Sequence, residues 1–154
     1  MEINLEWKTT LFSPVFGIYR DGMAVGEISK GNWTRKVAAE LNLKKIVFEV
    51  KGVFRSKALI IDTNDDSTVG SIDFSGWKSN AAINYREKLY KWHFDNFFRT
   101  RWSILDGETV LVKYHSGALS GTISSMTGDE ILILTGFFIR NLIRQRSAGI
   151  AAST

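Results

Sequence analysis

An internal repeat with a period of 44 residues restricts the fold of this chain more than any other feature of its sequence. The segment Val25–Lys36 resembles Val69–Asn80, and Lys45–Lys57 resembles Leu89–Arg101. The matched residues, each pair 44 positions apart, are Gly26 and Gly70, Ile28 and Ile72, Trp33 and Trp77, Phe48 and Trp92, and Arg55 and Arg99. A third, partial copy covers Leu105–Ser125. A period in this range indicates one supersecondary unit that is used more than once.

Each copy has the pattern of four antiparallel strands. The strands predicted in the first copy are Phe16–Tyr19, Met23–Ser29, Lys36–Leu41 and Lys45–Val50. The dipeptide Asp21-Gly22 predicts a tight hairpin between the first two, because Gly accepts the positive φ angle that such turns need. Apolar residues recur at every second position of the fourth strand, which is typical of a strand with one buried face. Two full copies, the partial copy and the N-terminal segment Ile3–Leu11 together predict about twelve strands.

A closed antiparallel barrel accommodates this number of strands better than a propeller does. Propeller blades also have four strands, but propellers usually need at least about four blades, and the chain has fewer than three full units. In a barrel of about eight strands, side chains alone fill the interior. A barrel of about twelve strands is wider, so a further element has to occupy its centre, as a helix does in barrels of about eleven strands.

The segment Gly128–Ser147 supplies such an element, because it contains the longest apolar run of the chain, Ile131–Ile139. We predict a helix over about 129–146, capped by Asp129 and followed by a flexible tail at 147–154. Its length of ~25 Å matches that of strands of about six or seven residues. Because its first turns are apolar on every side, protein should surround them. The residues that we expect inside the barrel are Ile131, Leu132, Leu134, Phe137 and Phe138.

Two membrane-related alternatives fit this segment less well. A transmembrane helix needs about 20 apolar residues, and Arg140 and Asn141 end the apolar run too early. A helix that lies on a membrane surface needs a polar face, and none exists before Arg140. Arg140, Arg144 and Arg146 instead mark the point at which the helix should emerge into water. We therefore predict one domain over 1–154, an all-β closed antiparallel barrel of about twelve strands around a central apolar helix.

Composition excludes several kinds of site. The chain has no Cys, which rules out disulfides, thiol nucleophiles and thiolate metal sites. It has only two His, and the Asp-rich stretch Asp62–Asp73 has Ser67 at the sixth position, where a calcium loop requires Gly, so we predict no metal and no cofactor. The net charge of +4 mildly favours anionic partners. The N-terminal sequence has no apolar signal segment, so we expect a cytoplasmic protein that can associate peripherally with a membrane.

The layout of the chain resembles the Tubby C-terminal-like superfamily, which includes Tubby proteins, LURP-one-related proteins and phospholipid scramblases. The resemblance rests on the paired strands VGEI and VGSI, the corners FRSK and FRTR, and the terminal segment EILILTGFFIRNLIRQR. It implies a small bacterial-type member with a barrel around a central helix, and a role in binding phosphoinositides or other lipids or in membrane tethering. No binding motif of the family is present from which site residues could be carried over. The proline-rich N-terminal segment of scramblases is also absent, since Pro14 is the only Pro.

Basic and aromatic residues cluster at two pairs of equivalent corners, and these are the candidate binding residues. The first pair contributes Arg55, Lys57, Arg99 and Arg101, and the second contributes Trp33, Arg35, Lys36, Trp77 and Lys78. Aromatic rings beside cations suit a lipid interface, where rings lie at headgroup level and cations meet phosphate. They also suit single-stranded nucleic acid, through stacking and phosphate contacts. A purely structural alternative is that the rings plug the end of the barrel and the charges solvate its turns.

The sequence thus favours a non-enzymatic binding module for anionic lipid headgroups or for a protein partner at a membrane surface. The alternatives are a small hydrolase or transferase with a site assembled across strands, an interaction scaffold, and a nucleic-acid-binding protein. No catalytic residue can be named, because the chain has no nucleophile-elbow motif. His93 and His115 are expected to be structural or solvated.

Overall fold

The structure is a computed structural model that describes residues 2–30, 35–51, 56–74 and 80–153, and only the backbone for 147–153. This part of the chain forms twelve β-strands followed by one α-helix. The strands are β1 (Ile3–Lys8), β2 (Val15–Arg20), β3 (Met23–Ser29), β4 (Lys36–Leu41), β5 (Lys44–Lys51), β6 (Lys57–Asp62), β7 (Ser67–Asp73), β8 (Asn80–Tyr85), β9 (Lys88–Phe94), β10 (Arg101–Asp106), β11 (Thr109–Ser116) and β12 (Ser120–Ser125). The helix is α1 (Glu130–Ser153).

The strands form a closed antiparallel barrel, which confirms the predicted fold class. Each strand pairs with its neighbours in the chain, and β1 pairs with both β2 and β12 to close the sheet. The hairpin predicted at Asp21-Gly22 is present, and both residues have positive φ angles of 51° and 82°. The turns at Asn42-Leu43 and Arg86-Glu87 also have positive φ angles, although neither contains Gly.

The three copies of the repeat share one irregularity, a β-bulge between their first and second strands. In β3, β7 and β11 one residue has no partner on the facing strand: Val25, Val69 and Leu111, respectively. A bulge bends its strand and increases the local twist. The third copy is therefore a genuine repeat of the same unit, although its sequence has diverged most.

Strand β1 completes that third unit, because it occupies the place that β5 and β9 occupy in the first two. Equivalent positions on these strands carry large buried aromatic side chains: Phe48 of β5, Trp92 of β9 and Trp7 of β1. Each faces an Ile on the next strand: Ile60, Ile104 and Ile18. Trp7 lies opposite Gly121, where an added Cβ would come within 2.4 Å of the indole nitrogen. The N-terminus thus supplies the last strand of the C-terminal unit.

The helix α1 fills the barrel, and all five residues predicted to be buried are at most 3% exposed. Asp129 caps it as predicted, since its Oδ1 accepts hydrogen bonds from the backbone N–H groups of Ile131 and Leu132 at 3.0 and 3.3 Å. The helical backbone extends to Ser153, beyond the predicted helix end at Arg146. The residues that follow Arg146 include three Ala, the residue with the highest helix propensity. No helix within the described ranges is both long and apolar enough to cross a bilayer.

The barrel wall holds α1 by hydrogen bonds as well as by apolar contacts. The carbonyl oxygen of Gly136 accepts hydrogen bonds from Trp92 Nε1 at 3.0 Å and from Trp102 Nε1 at 3.1 Å. The hydroxyl of Tyr114 donates to the carbonyl oxygen of Ile133 at 2.8 Å. These bonds fix both the depth and the rotation of the helix, because each involves one particular peptide group.

The two ends of the barrel differ. Tight turns after β2, β4, β6, β8 and β10, together with the start of α1, form one end, which we call the hairpin rim. The connections after β1, β3, β5, β7, β9 and β11 lie at the other end, which we call the loop rim, and all but the three-residue connection after β11 are longer than these turns. Its described connecting residues are 9–14, Lys30, Arg35, Ser56, Phe74, 95–100 and 117–119. The helix enters at the hairpin rim, so its C-terminal half approaches the loop rim.

Candidate functional site

The predicted site residues that the structure describes all lie at the loop rim and are exposed: Arg35, Lys36, Lys57, Arg99 and Arg101. Four further predicted residues, Trp33, Arg55, Trp77 and Lys78, lie outside the described residues. The antiparallel order explains why the described ones share an end, since each precedes or begins an even-numbered strand. The structure therefore brings the described members of the predicted set to one surface.

The corner between β9 and β10 is an ordered turn organised by Asn96. Its Oδ1 accepts hydrogen bonds from the backbone N–H groups of Thr100 and Arg101 at 3.0 and 3.1 Å, and its Nδ2 donates to Thr100 Oγ1 at 2.7 Å. Phe97 and Phe98 at the tip are 92% and 80% exposed and pack edge to face. These two rings point away from the core, so they do not plug the barrel.

A second pair of apolar side chains extends from the same rim, in the connection between β1 and β2. Leu11 is 79% exposed and Phe12 is 96% exposed. The connection is tied to the next one by Lys30, whose Nζ donates to the carbonyl oxygen of Thr10 at 2.8 Å. Sequence reasoning missed this pair, because it assigned Leu11 to the first strand. The sequence does contain a signal for this pair: Leu11 and Phe12 directly precede Ser13-Pro14, which is typical of a turn.

Charge is distributed unequally between the two rims. The basic residues at or next to the loop rim include Lys30, Arg35, Lys36, Lys51, Lys57, Arg99, Arg101, Arg140, Arg144 and Arg146. The described carboxylates within two residues of a strand end at that rim are Glu6, which lies 3.8 Å from Lys8, Glu27, Glu49, which pairs with Lys51 at 3.1 Å, Asp73, and Asp95, which lies 3.1 Å from His93. The hairpin rim carries most of the acidic turn residues: Asp21, Asp62, Asp65, Asp66, Glu87, Asp106, Glu108, Asp129 and Glu130. The cations at the hairpin rim, Arg20, Lys44, Lys45, Arg86 and Lys88, are fewer than these carboxylates, so the loop rim is the positive pole of the described part of the molecule.

A cleft of 520 Å³ opens at this positive rim, between α1 and the corners that precede β10 and β12. The residues that line it are Phe94, Phe98, Arg99, Thr100, Ser116, Gly117, Ala118, Arg140, Ile143 and Arg144. Three of these side chains are guanidinium groups and none is a carboxylate. Arg99 is the corner residue that the sequence predicted, and it is brought here by a backbone φ angle of 58°. The cleft combines positive charge with an apolar wall.

Arg140 was expected to emerge into water, but the structure buries it at the inner end of this cleft, where it is 6% exposed. Its guanidinium donates to Ser116 Oγ at 2.8 Å and to Asn141 Oδ1 at 3.2 Å, and lies 5.0 Å from the ring centre of Trp102. In the described part of the chain it has no carboxylate partner. Burial, and then the positive charge of Arg144, lower the pKa of Arg140 to about 10. Because α1 continues past Arg140, this residue lies inside the helix and not at the helix end where the sequence placed it.

Among the residues that the structure describes, two polar clusters lie outside the cleft, and neither has the geometry of a catalytic triad. On the barrel wall, the Asp95 carboxylate lies between His93 and Ser103 and accepts a hydrogen bond from the Ser103 hydroxyl. A serine nucleophile needs a hydrogen bond to the histidine itself, so this order of groups does not activate Ser103. In the Asp-rich turn, a hydrogen bond from Lys44 and another from the Asn64 backbone lower the pKa of Asp62. That carboxylate is thus used in holding the turn.

Comparisons of the chain with protein-family models, curated proteins and solved structures found no match in any of the three. The resemblance to the Tubby C-terminal-like superfamily stays a prediction that rests on the order of the strands and the helix.

Proposed function

We propose that this protein is a non-enzymatic binding module that docks through its loop rim on a membrane surface with anionic lipid headgroups. The observation that carries the proposal is that exposed apolar side chains and an excess of cations lie at the same end of the barrel. The apolar set comprises Leu11, Phe12, Phe97, Phe98 and Leu119, which are between 42% and 96% exposed. The hairpin rim also exposes apolar side chains, those of Met23, Leu43, Leu89 and Met126. The loop rim differs because its apolar set includes three Phe rings and lies among cations, and a patch of large apolar side chains rimmed by polar groups often marks an interaction site.

The two kinds of side chain fit the two layers of a membrane interface. Phe and Leu side chains at loop tips can enter the boundary between headgroups and acyl chains. Cations that lie behind them, such as Arg99 and Arg101, then meet the phosphate groups, and each contributes about 1 kcal/mol near an anionic leaflet. The acidic hairpin rim would point away from the membrane, so the charge distribution also orients the barrel.

Co-sedimentation with vesicles tests the proposal. Vesicles of phosphatidylcholine alone are compared with vesicles that contain phosphatidylserine, at low and at high salt. We expect binding to the anionic vesicles only, and a loss of binding at high salt because the charges are screened. Equal binding to both vesicle types, or no binding to either at low salt, would contradict the proposal.

Substitutions at the two rims distinguish docking through the loop rim from nonspecific hydrophobic adsorption to vesicles. The double variant Phe12→Ser/Phe97→Ser removes two exposed rings from the loop rim and should weaken vesicle binding at least tenfold, since each ring buries a large apolar area. The matched control is Met23→Ser/Leu43→Ser, which removes two exposed apolar side chains, 73% and 86% exposed, from the hairpin rim. This control should bind as the unaltered protein does. A control that binds as weakly as the loop-rim variant would refute the assignment of the docking surface.

A further inference from the structure

We propose that the cleft beside Arg140 is a binding site for the phosphate group of a phosphomonoester. This inference goes beyond membrane docking and does not depend on it, because a water-soluble phosphate compound could enter the cleft as well as a lipid headgroup. The proposal rests on an incompletely paired buried cation, on two further cations around it, and on the size and lining of the cleft.

The first argument concerns the charge of Arg140. A buried charge is costly unless it is both paired and hydrogen-bonded. The described hydrogen-bond partners of Arg140 are the neutral side chains of Ser116 and Asn141, which occupy only part of its five N–H donors, and its further partner, the Trp102 ring, carries no counter-charge. An anion in the cleft would supply the missing counter-charge. The buried position also fixes the guanidinium in place, which reduces the conformational entropy lost when the anion binds.

The second argument concerns the donors that converge on the same space. Arg99 and Arg144 line the cleft with exposed guanidinium groups. Thr100 Oγ1 accepts a hydrogen bond from Asn96, so its own proton is available to an anion. Guanidinium forks match the oxygen geometry of phosphate, and three positive charges favour a dianion over a singly charged carboxylate.

The third argument concerns the remaining volume. The cleft of 520 Å³ is far larger than an inorganic phosphate ion and lies within the usual range for small-molecule sites. Phe94, Phe98 and Ile143 form an apolar wall beside the cationic groups. An organic substituent on the phosphate would lie against this wall. The ligand class that uses both parts of the cleft is therefore a phosphate ester with an apolar or aromatic organic part.

A titration followed by ³¹P NMR tests the site directly, with phenyl phosphate as the probe, at neutral pH and constant ionic strength. We expect saturable changes in the phosphorus signal of the probe, and weaker binding of inorganic phosphate. Arg144→Gln and Arg99→Gln each remove one exposed guanidinium and should weaken binding about tenfold. Arg140→Met removes the buried one and should weaken binding more than about 30-fold. Arg20→Gln, which removes an exposed guanidinium at the hairpin rim, is the matched control and should have no effect.

Absence of saturable binding to the unaltered protein, or an equal loss in Arg20→Gln and Arg144→Gln, overturns the proposal. If Arg140→Met does not fold, as judged by circular dichroism, the double variant Arg99→Gln/Arg144→Gln decides, and unchanged binding in it overturns the proposal. Vesicles containing phosphatidic acid identify the source of the phosphate: competition with phenyl phosphate assigns a lipid headgroup, whereas soluble binding without competition assigns a soluble ester. Either result supports the site, and soluble binding without competition supports it even if the membrane docking proposed above fails.

Discussion

Replacement of Gly136 by Ala is a sharp test of how the barrel holds its central helix, because two physical effects predict opposite signs. In an exposed helix, Gly→Ala stabilises by about 1 kcal/mol through helix propensity. In this barrel, a Cβ at position 136 would lie 2.2 Å from Tyr114 Oη, 2.5 Å from its Cζ and 2.7 Å from its Cε1. These distances are well below the ordinary contact distance of at least 3.4 Å, so the ring or the helix must move.

The cost follows from what that movement breaks. Three hydrogen bonds of 2.8 to 3.1 Å join the wall to this turn of the helix, from Trp92, Trp102 and Tyr114. Each buried donor that loses its acceptor costs about 1–3 kcal/mol, and overpacking alone costs about 1–3 kcal/mol. If one of the three bonds is lost, the two costs together outweigh the propensity gain, and the net destabilisation should be about 1–5 kcal/mol. This is a large part of a total stability of about 5–15 kcal/mol.

Urea unfolding followed by tryptophan fluorescence and circular dichroism measures this effect. A double-mutant cycle with Tyr114→Leu, which removes the three contacting atoms, separates the clash from other effects. The double variant should be less destabilised than the sum of the two single variants by at least about 1 kcal/mol. An increase in stability in Gly136→Ala, or strict additivity in the cycle, would show that the close approach of Tyr114 to the helix does not limit the packing.

Two further predictions concern the hairpin rim and the response to high pH. Asp129→Ala should lower the free energy of unfolding in urea by about 1–2 kcal/mol, because the helix loses its cap. Asp129→Asn should lower it less, since an amide oxygen can still accept the hydrogen bond from Ile131. Equal losses in the two variants would contradict the capping role. Burial, followed by the effect of Asp129, raises the pKa of Tyr85, and burial raises the pKa of Tyr114. The unfolded chain therefore releases these protons near pH ~10 while the folded protein retains them, so their contribution to stability is lost as pH rises above about 10. The decline in the urea midpoint from about pH 9 to about pH 11 should be smaller in Tyr85→Phe, and an unchanged decline would refute this assignment.

The barrel could be predicted from sequence because its determinants are local and repeated. Alternating apolar residues and the Asp-Gly turns identify the strands, and the apolar segment after Gly128 identifies the central helix. The role of β1 was harder to predict from the sequence, because the third unit obtains its fourth strand from the other end of the chain. Only the pairing of β1 with both β2 and β12 shows that Trp7 is equivalent to Phe48 and Trp92.

The cleft could not be predicted to the same extent, because it depends on where a helix stops relative to a barrel wall. A basic residue after an apolar run is typical of a helix end, yet α1 continues beyond Arg140. The guanidinium of Arg140 therefore lies against Ser116 and Trp102. Arg99 was predicted from the repeat, whereas its proximity to Arg144 requires the depth of α1 in the barrel. That depth is fixed by the hydrogen bonds to Gly136, which pair a helix carbonyl with indoles from two strands.

The number of strands in the repeated unit explains why the two ends of the barrel differ in composition. In an antiparallel barrel, successive connections alternate between the two ends. A repeated unit with an even number of strands therefore places its equivalent connections at the same end. Because the unit here has four strands, the connections that follow β1, β5 and β9 all lie at the loop rim. Repetition of a corner that combines aromatic and basic residues thus concentrates such residues at one pole, while the Asp-containing hairpins are concentrated at the other. The polarity that would orient the protein at a membrane is a direct result of an even-stranded repeat.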